Sequence, residues 1–474
     1  MIFNSLEFVA FWLAVILLLL VVRGVAKDAK VCNVVLLVAS YAFYGYFNVG
    51  FLLILLYVTL VTFAFASVLL NDTLGSRKRI VGTGIVLSLL PLVFYKYAMF
   101  IVNSVSGLLG SDIDTGTWGK WCVPVGISFF TFQALSYLID VYRRRITEGS
   151  SLVDYMLFVS FFPTILSGPI EKARELLPQI RRNNLITRSG IADGLVVFAW
   201  GLFKKVVIAD RLSAYVDWAY LDIAHQSGGT LAFAATLYSI QIYCDFSGYS
   251  DMAWGVAKSL GFDVTRNFRF PYFASTIKEF WRRWHISLTS WFTEYVYFSL
   301  GGNRVKLKAH WVFNISMVFL LSGIWHGASW NFFIWGALHA VYYLIEYACG
   351  LHRKEYRTPS LLKLPATLLV FALVTVAWIF FRIEDFSAAT CVLNKIVTDI
   401  ASPIAVGQSA FTFVCNILLV AVFVVYDLLL YKGICLNERD CTRHTIGNVL
   451  WLVSLMLLTA LCSVSADNFV YFQF

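Results

Sequence analysis

The chain has 474 residues, of which 59% are hydrophobic, 17% aromatic and 14% charged. Soluble domains carry about 25% charged residues, so a soluble globular fold is excluded and a polytopic membrane protein is implied. The net charge of +9 does not point to nucleic acid, because Lys and Arg cluster in short joints between apolar runs, as cytoplasmic loops do under the positive-inside rule.

A membrane span needs about 20 apolar residues, since a rise of ~1.5 Å per residue must cover ~30 Å of hydrocarbon. On that measure the first part of the chain predicts spans near 8–22, 31–48, 51–70, 80–105 and 122–142. The first run has no cation before it and Arg23, Lys27 and Lys30 after it. That is the reverse of a cleavable signal peptide, so it reads as a retained helix with its N-terminus outside. Arg77-Lys78-Arg79 and Arg143-Arg144-Arg145 then fall on the cytoplasmic side and 106–120 outside. Between 151 and 265 the pattern breaks: Phe161-Phe162-Pro163 and Ser167-Gly168-Pro169 interrupt an apolar run, and Lys172 to Arg182 reads as a short basic amphipathic helix. Broken or re-entrant segments are implied, which membranes tolerate only where protein or water satisfies the freed backbone groups.

Further spans are predicted near 190–208 and 229–244, followed by a semi-apolar turn from Tyr243 to Asp251 that carries two carboxylates. The remaining runs lie near 311–323, 330–349, 364–381, 411–431 and 447–464, and 386–400 is too short and mixed to assign. Basic joints at Arg304/Lys306/Lys308, Arg353/Lys354/Arg357 and Lys432/Arg439/Arg443 alternate as cytoplasmic, which leaves the C-terminal tail outside. The fold expected is all-α with about eleven spans in a single membrane domain, 1–474. Within it, 1–150 supply N-terminal helices, 151–345 a core with re-entrant segments, and 346–474 C-terminal helices.

Candidate chemistry concentrates between Asn267 and Gly336. A helix from Glu279 to Phe298 would align Trp281, Trp284, Leu288, Trp291 and Tyr295 on one stripe, with Arg283, Ser287, Ser290 and Glu294 on another face. That pattern suits an interfacial anchor. It equally suits a tunnel mouth at which Arg282, Arg283 and His285 receive the phosphates of an acyl-carrying cofactor. His326 stands among small and apolar residues, Ser322-Gly323-Ile324-Trp325 before it and Gly327-Ala328-Ser329 after it. It is either a packing residue or a base: glycines let a substrate or backbone approach closely, and a neutral imidazole can take a hydroxyl proton and return it to a leaving group. His339 reads as structural, His310 lies in a basic loop, and His225, His352 and His444 read as solvated. No metal site is expected, since His326 and His339 are 13 residues apart with no completing carboxylate. Asp245 and Asp251 suit either a proton relay or ion pairs with Arg266 or Arg269. Nine cysteines form no CxxC pair, and only Cys435 and Cys441 sit where a disulfide is plausible.

Several of these stretches carry a family resemblance. Phe280-Trp281-Arg282-Arg283-Trp284-His285-Ile286-Ser287-Leu288, Leu300-Gly301-Gly302-Asn303-Arg304, Trp325-His326-Gly327-Ala328-Ser329-Trp330, the Tyr243 to Asp251 segment, Phe162-Pro163 with Ser167-Gly168-Pro169-Ile170, and the terminal Tyr471-Phe472-Gln473-Phe474 resemble the membrane-bound O-acyltransferase (MBOAT) family, in its bacterial alginate O-acetylation branch. The resemblance runs from about residue 160 to the last residue and implies a helical bundle around a central tunnel. It implies an O-acyltransferase of a bacterial inner membrane that moves acetyl from cytosolic acetyl-CoA to an extracytoplasmic polysaccharide such as alginate, with no tightly bound cofactor. His326 would be the family's base and His285 a second catalytic residue. Arg282, Arg283, Trp281, Trp325, Asn303 and Asp245 would bind substrate or donor. An extracytoplasmic serine-hydrolase-like acetyltransferase is implied as partner. D-alanyl or other acyl transfer to a cell-wall polymer is the neighbouring activity. A non-enzymatic transporter or flippase is the competing class, for which two related halves with paired broken helices are expected; no such repeat is visible.

The pattern predicts His285 toward the cytoplasmic side and His326 deeper, because the basic loop Arg304 to Lys308 separates them. A cysteine placed at Lys306 should react with impermeant reagent only from inside and one at Ser465 only from outside. Labelling of both from one side would overturn the alternation.

Overall fold

The computed structural model describes residues 1–26, 28–71, 76–109, 122–182, 186–351, 360–407, 409–433, 453, 455–457 and 459. The expected span 447–464 is largely outside the described residues. So are most of 106–120, the 353–357 and 439–443 joints, His352, His444, the Cys435/Cys441 pair and the Tyr471–Phe474 motif. Among the described residues every regular element is helical. Among the described residues, five helices are long and apolar enough to cross a membrane: Leu6–Val25, Val49–Leu70, Arg77–Leu109, Leu361–Arg382 and Ala410–Tyr431, with Ala29–Gly45 apolar but shorter. The other expected spans correspond to helices that are shorter, or that carry polar side chains which protein buries. The unassigned 386–400 is a helix, Phe386–Asp399, capped by Asp385.

The chain forms two compact units, Met1–Phe198 with Ala253–Thr265, and Ala199–Met252 with Arg266–Phe474. The first is organised on helix Ile127–Tyr142, in which every residue except Ile139 and Tyr142 is buried. Helices Val49–Leu70 and Arg77–Leu92 pack on it, and Tyr155 joins this core through Thr62 Oγ1 at 2.6 Å and the ring of Tyr137 at 4.5 Å. The proline- and glycine-containing stretch is non-helical, as expected, and every residue from Phe161 to Lys172 is buried. Protein therefore encloses the irregular backbone, as the membrane requires. The expected short amphipathic helix is Ala173–Arg181, with Ala173, Leu176, Leu177 and Ile180 buried.

In the second unit, helices Lys308–His326 and Trp330–Ala348 form a tight hairpin. A Cβ at Gly323 would stand 2.2 Å from the Phe332 carbonyl oxygen, and one at Gly327 would enter the Phe332 ring at 1.9 Å. Glycine is obligatory at both places, so the approach that these residues permit beside His326 is that of the protein's own backbone and ring.

The second unit also buries charge. The segment Tyr243–Asp251, expected as a turn, is helical and lies inside Gly228–Ser259. Its carboxylates are held by lysines: Asp245 holds Lys205 at 2.6 Å and Asp251 holds Lys204 at 2.5 Å. Lys205 also meets Asp210 at 2.7 Å, and the three side chains of this triad are at most 4% exposed. Both lysines come from a π-helical segment, Lys204–Ala209, that interrupts the apolar helix before it. The sequence hides this pairing because partners some forty residues apart meet only when two helices pack side by side. Charge buried this deeply is tolerable only when paired on every side, and removing one member costs about 3–5 kcal/mol. Lys205→Met is therefore expected to lose most of its folded yield and to melt early in a thermal assay of the purified protein. Adding Asp245→Asn and Asp210→Asn should recover much of that loss. A single variant as stable as the wild type would refute the pairing as a structural requirement.

Candidate active site

The helix predicted from Glu279 to Phe298 does not form as one piece. It is broken into Ile277–Trp281, Ile286–Trp291 and a π-helical continuation Phe292–Tyr297. At the break His285 takes a left-handed backbone conformation, φ +43° and ψ +56°. The cause is a crossing segment: the Asn267 carbonyl accepts from Ile286 N–H at 3.0 Å, and Arg269 N–H donates to the Arg283 carbonyl at 3.0 Å. The Asn267 side chain adds a bond from Ser287 N–H at 3.2 Å. These contacts take up groups that a continuous helix would use internally, and the periodicity of the sequence carries no trace of them.

The break turns His285 inward, where it is fully buried. Its ring meets Phe246 edge-on at 4.6 Å, Trp325 at 6.1 Å and His326 at 6.4 Å between centroids. His326 is the last residue of its helix and is walled by Trp325 at 4.9 Å, Trp335 at 5.1 Å and Phe381 at 5.2 Å. With rings 6.4 Å apart the two histidines share one site, although the basic loop Arg304 to Lys308 separates them in sequence.

Beside this pair lies a cavity of about 230 Å³, lined among others by Lys278, Trp281, Arg282, Thr289, Ser322 and Tyr343. Neither His285 nor His326 lines it; its lining residue Ser322 is one helical turn before His326, a rise of ~6 Å. Of the two arginines, Arg282 lines the cavity and Arg283 does not. Arg283 binds Glu279 at 2.5 Å and the Phe270 carbonyl at 3.3 Å, and lies 5.2 Å from the Tyr431 ring. Trp325 touches both histidines and Trp281 walls the cavity. Asn303 sits exposed in a turn whose carbonyls at Leu300 and Gly302 bind Asn314, and it does not line the cavity. Asp245 belongs to the buried triad, while its neighbour Phe246 supports His285. His339, expected to be structural, is packed among rings, with Trp281 and Trp335 each 4.9 Å away. No group of three or more potential metal ligands occurs among the described residues.

The sequence model of the membrane-bound O-acyltransferase family matches residues 37–384. The chain belongs to this family. It is accordingly a multi-pass membrane O-acyltransferase. A probable alginate O-acetylase of Pseudomonas aeruginosa is 36% identical over 394 residues, 82% of this chain and 73% of that protein. A peptidoglycan O-acetyltransferase of Helicobacter pylori is 35% identical over 80% of this chain and 76% of its own. A teichoic acid D-alanyltransferase of Bacillus subtilis is 31% identical over 46% of this chain and 57% of its own.

Sequence reading passed over the residue that fixes the rim of this cavity. Glu346, at the end of helix Trp330–Ala348, accepts from the backbone N–H groups of Ile277 and Lys278, the latter at 3.1 Å. It thereby anchors the short helix that presents Lys278, Trp281 and Arg282, aided by the Thr276 cap on Glu279 N–H at 3.1 Å. Only an unexplained buried carboxylate, Glu346 in an apolar helix, could have signalled it. Glu346→Ala is expected to raise the KM for the acyl donor several-fold with a smaller change in kcat, and Glu346→Gln, which keeps one acceptor oxygen, to recover part of it. An unchanged donor KM in folded protein would remove Glu346 from this role.

Proposed function

We propose that the chain O-acetylates an extracytoplasmic polysaccharide such as alginate, drawing acetyl from cytosolic acetyl-CoA. The observation that carries this reading is the cavity, basic at Lys278 and Arg282, that ends one turn from His326. Its ~230 Å³ is below the ~300–1,000 Å³ of pockets that engulf whole ligands. That size suits a narrow thioester-bearing arm with its phosphates left at the cationic rim, where Arg282 forms charge-assisted bonds.

In the reaction the acceptor oxygen attacks the thioester carbonyl carbon while His326 takes the hydroxyl proton. The carbon–sulfur bond then breaks, and the proton passes from the imidazolium to the departing thiolate. The aromatic wall keeps water from competing, and His285, beside His326, stabilises charge that develops on the carbonyl oxygen. A hydroxyl is a poor nucleophile at neutral pH, so the base contributes roughly 10²–10⁴ in rate. The enzyme lies in the inner membrane of a bacterium, and the hydroxyl that it acetylates is that of a serine-hydrolase-like partner outside, which passes the acetyl ester on to a polymer hydroxyl. Similarity to the Helicobacter pylori peptidoglycan O-acetyltransferase favours a cell-wall glycan as the second choice of acceptor. D-alanyl transfer has support over less than half of the chain.

His326→Ala is expected to abolish acetyl transfer at normal membrane levels. His339→Ala, on the adjoining helix, should retain far more activity. Activity of the His326 variant within several-fold of wild type, with the His285 variant dead, would move the base to His285. Release of coenzyme A from radiolabelled acetyl-CoA by membranes with the partner present measures both the donor and the base.

A further inference from the structure

A second pocket in the same unit, of about 100 Å³, is bounded by Tyr215 and Trp218 on one helix and by 406–407 and 409–416 on the other side. Its walls are aromatic: Tyr215 stands 5.3 Å from Trp218 and 5.7 Å from Phe413 between ring centroids. Its polar atoms are neutral, those of Ser409, Thr412 and Asn416, and no lining side chain carries a charge. The loop across it is fixed in place. Tyr215 O–H donates to the Ala405 carbonyl at 2.7 Å and Ala405 N–H to Thr230 Oγ1 at 2.9 Å. Gly407, at φ +79°, lies against the Tyr215 and Trp218 rings in a conformation that favours glycine.

Asn416 is 4% exposed, and among the described residues its side-chain oxygen has no hydrogen-bond partner. Buried polar atoms are nearly always partnered, so this one is available to a ligand donor. Charged groups lie next to it: exposed Asp217, beside Trp218, pairs with half-buried Arg382 at 2.7 Å, and exposed Asp222 binds His225 a turn further on. Lys432 marks the opposite end of helix Ala410–Tyr431, which on the positive-inside rule makes the pocket end the outer one.

We propose that this pocket binds one pyranose unit of the acceptor polysaccharide and so tethers the polymer at the outer face of the enzyme. The proposal rests on the acceptor reading above. Aromatic faces pack on the C–H face of a sugar ring, while neutral amide and hydroxyl groups exchange hydrogen bonds with its hydroxyls. Without a cation in the lining, selection is for ring and hydroxyls rather than for a carboxylate. The small volume, about 100 Å³, receives one face of a single ring and leaves the neighbouring sugars outside.

The test uses the full chain in lipid nanodiscs, because the sugar head of a maltoside detergent would compete. Tetrasaccharides of mannuronate, of N-acetylglucosamine and of glucose are titrated by calorimetry. At least one is expected to bind, and Trp218→Ala and Asn416→Leu should each weaken it on the order of tenfold or more. Trp218→Phe, which keeps a stacking face, should stay close to wild type and guards against loss of fold. The donor KM should not move in any of them. Equal binding by wild type and both weakened variants overturns the pocket and leaves the acceptor reading intact. So does absence of saccharide binding while cells producing the wild type still O-acetylate a polysaccharide. If no polysaccharide in such cells gains acetyl through this chain, the acceptor reading fails, and the tether with it.

Discussion

The histidine pair depends on the bonds that Asn267 makes across the break before Ile286. Its carbonyl and its side chain take the N–H groups of Ile286 and Ser287, and this keeps His285 at positive φ. A left-handed residue other than glycine costs about 1–2 kcal/mol. Each bond returns about 0.5–1.5 kcal/mol, so the crossing segment is of the right size to hold the kink. Without it the stretch would relax to the continuous amphipathic helix that its periodicity specifies, and the His285 side chain would leave the wall that it shares with Trp325 and His326. Strain of this kind persists where the surroundings over-determine it, commonly at functional sites.

A second constraint is the apolar environment, in which each polar group needs a protein partner. Most of the buried charge of the second unit is accounted for in this way. Lys205 holds two aspartates, Glu346 holds the start of a short helix, and half-buried Lys395 likewise donates to the carbonyls of Ile223, Ala224 and Gln226. This accounting separates residues that look alike in sequence. Arg283 is bound to Glu279 and stacks near Tyr431, whereas adjacent Arg282 faces the cavity. Asp245 is held in a buried triad. The two imidazoles meet Trp325, and Trp281 walls the cavity with its basic rim.

Much of this was legible in the chain itself. Composition requires a membrane, and runs of about 20 apolar residues require helices, because a bilayer leaves the backbone no other way to satisfy itself. Proline and glycine at Phe162-Pro163 and Ser167-Gly168-Pro169 require a break, and the break is there. The tryptophan- and histidine-rich motifs carry the family, and His326 between two glycines marks a close approach. What the sequence could not contain is which approach. Gly323 and Gly327 admit the Phe332 backbone and ring, a fact that exists only once the hairpin has closed. The partners of Asp245 and Asp251, the kink at His285, and the meeting of His285 with His326 were likewise decided by tertiary structure. Each joins residues tens of positions apart, and helical periodicity reports only which side of a helix a residue occupies, not what another helix or a crossing strand of backbone will bring to it.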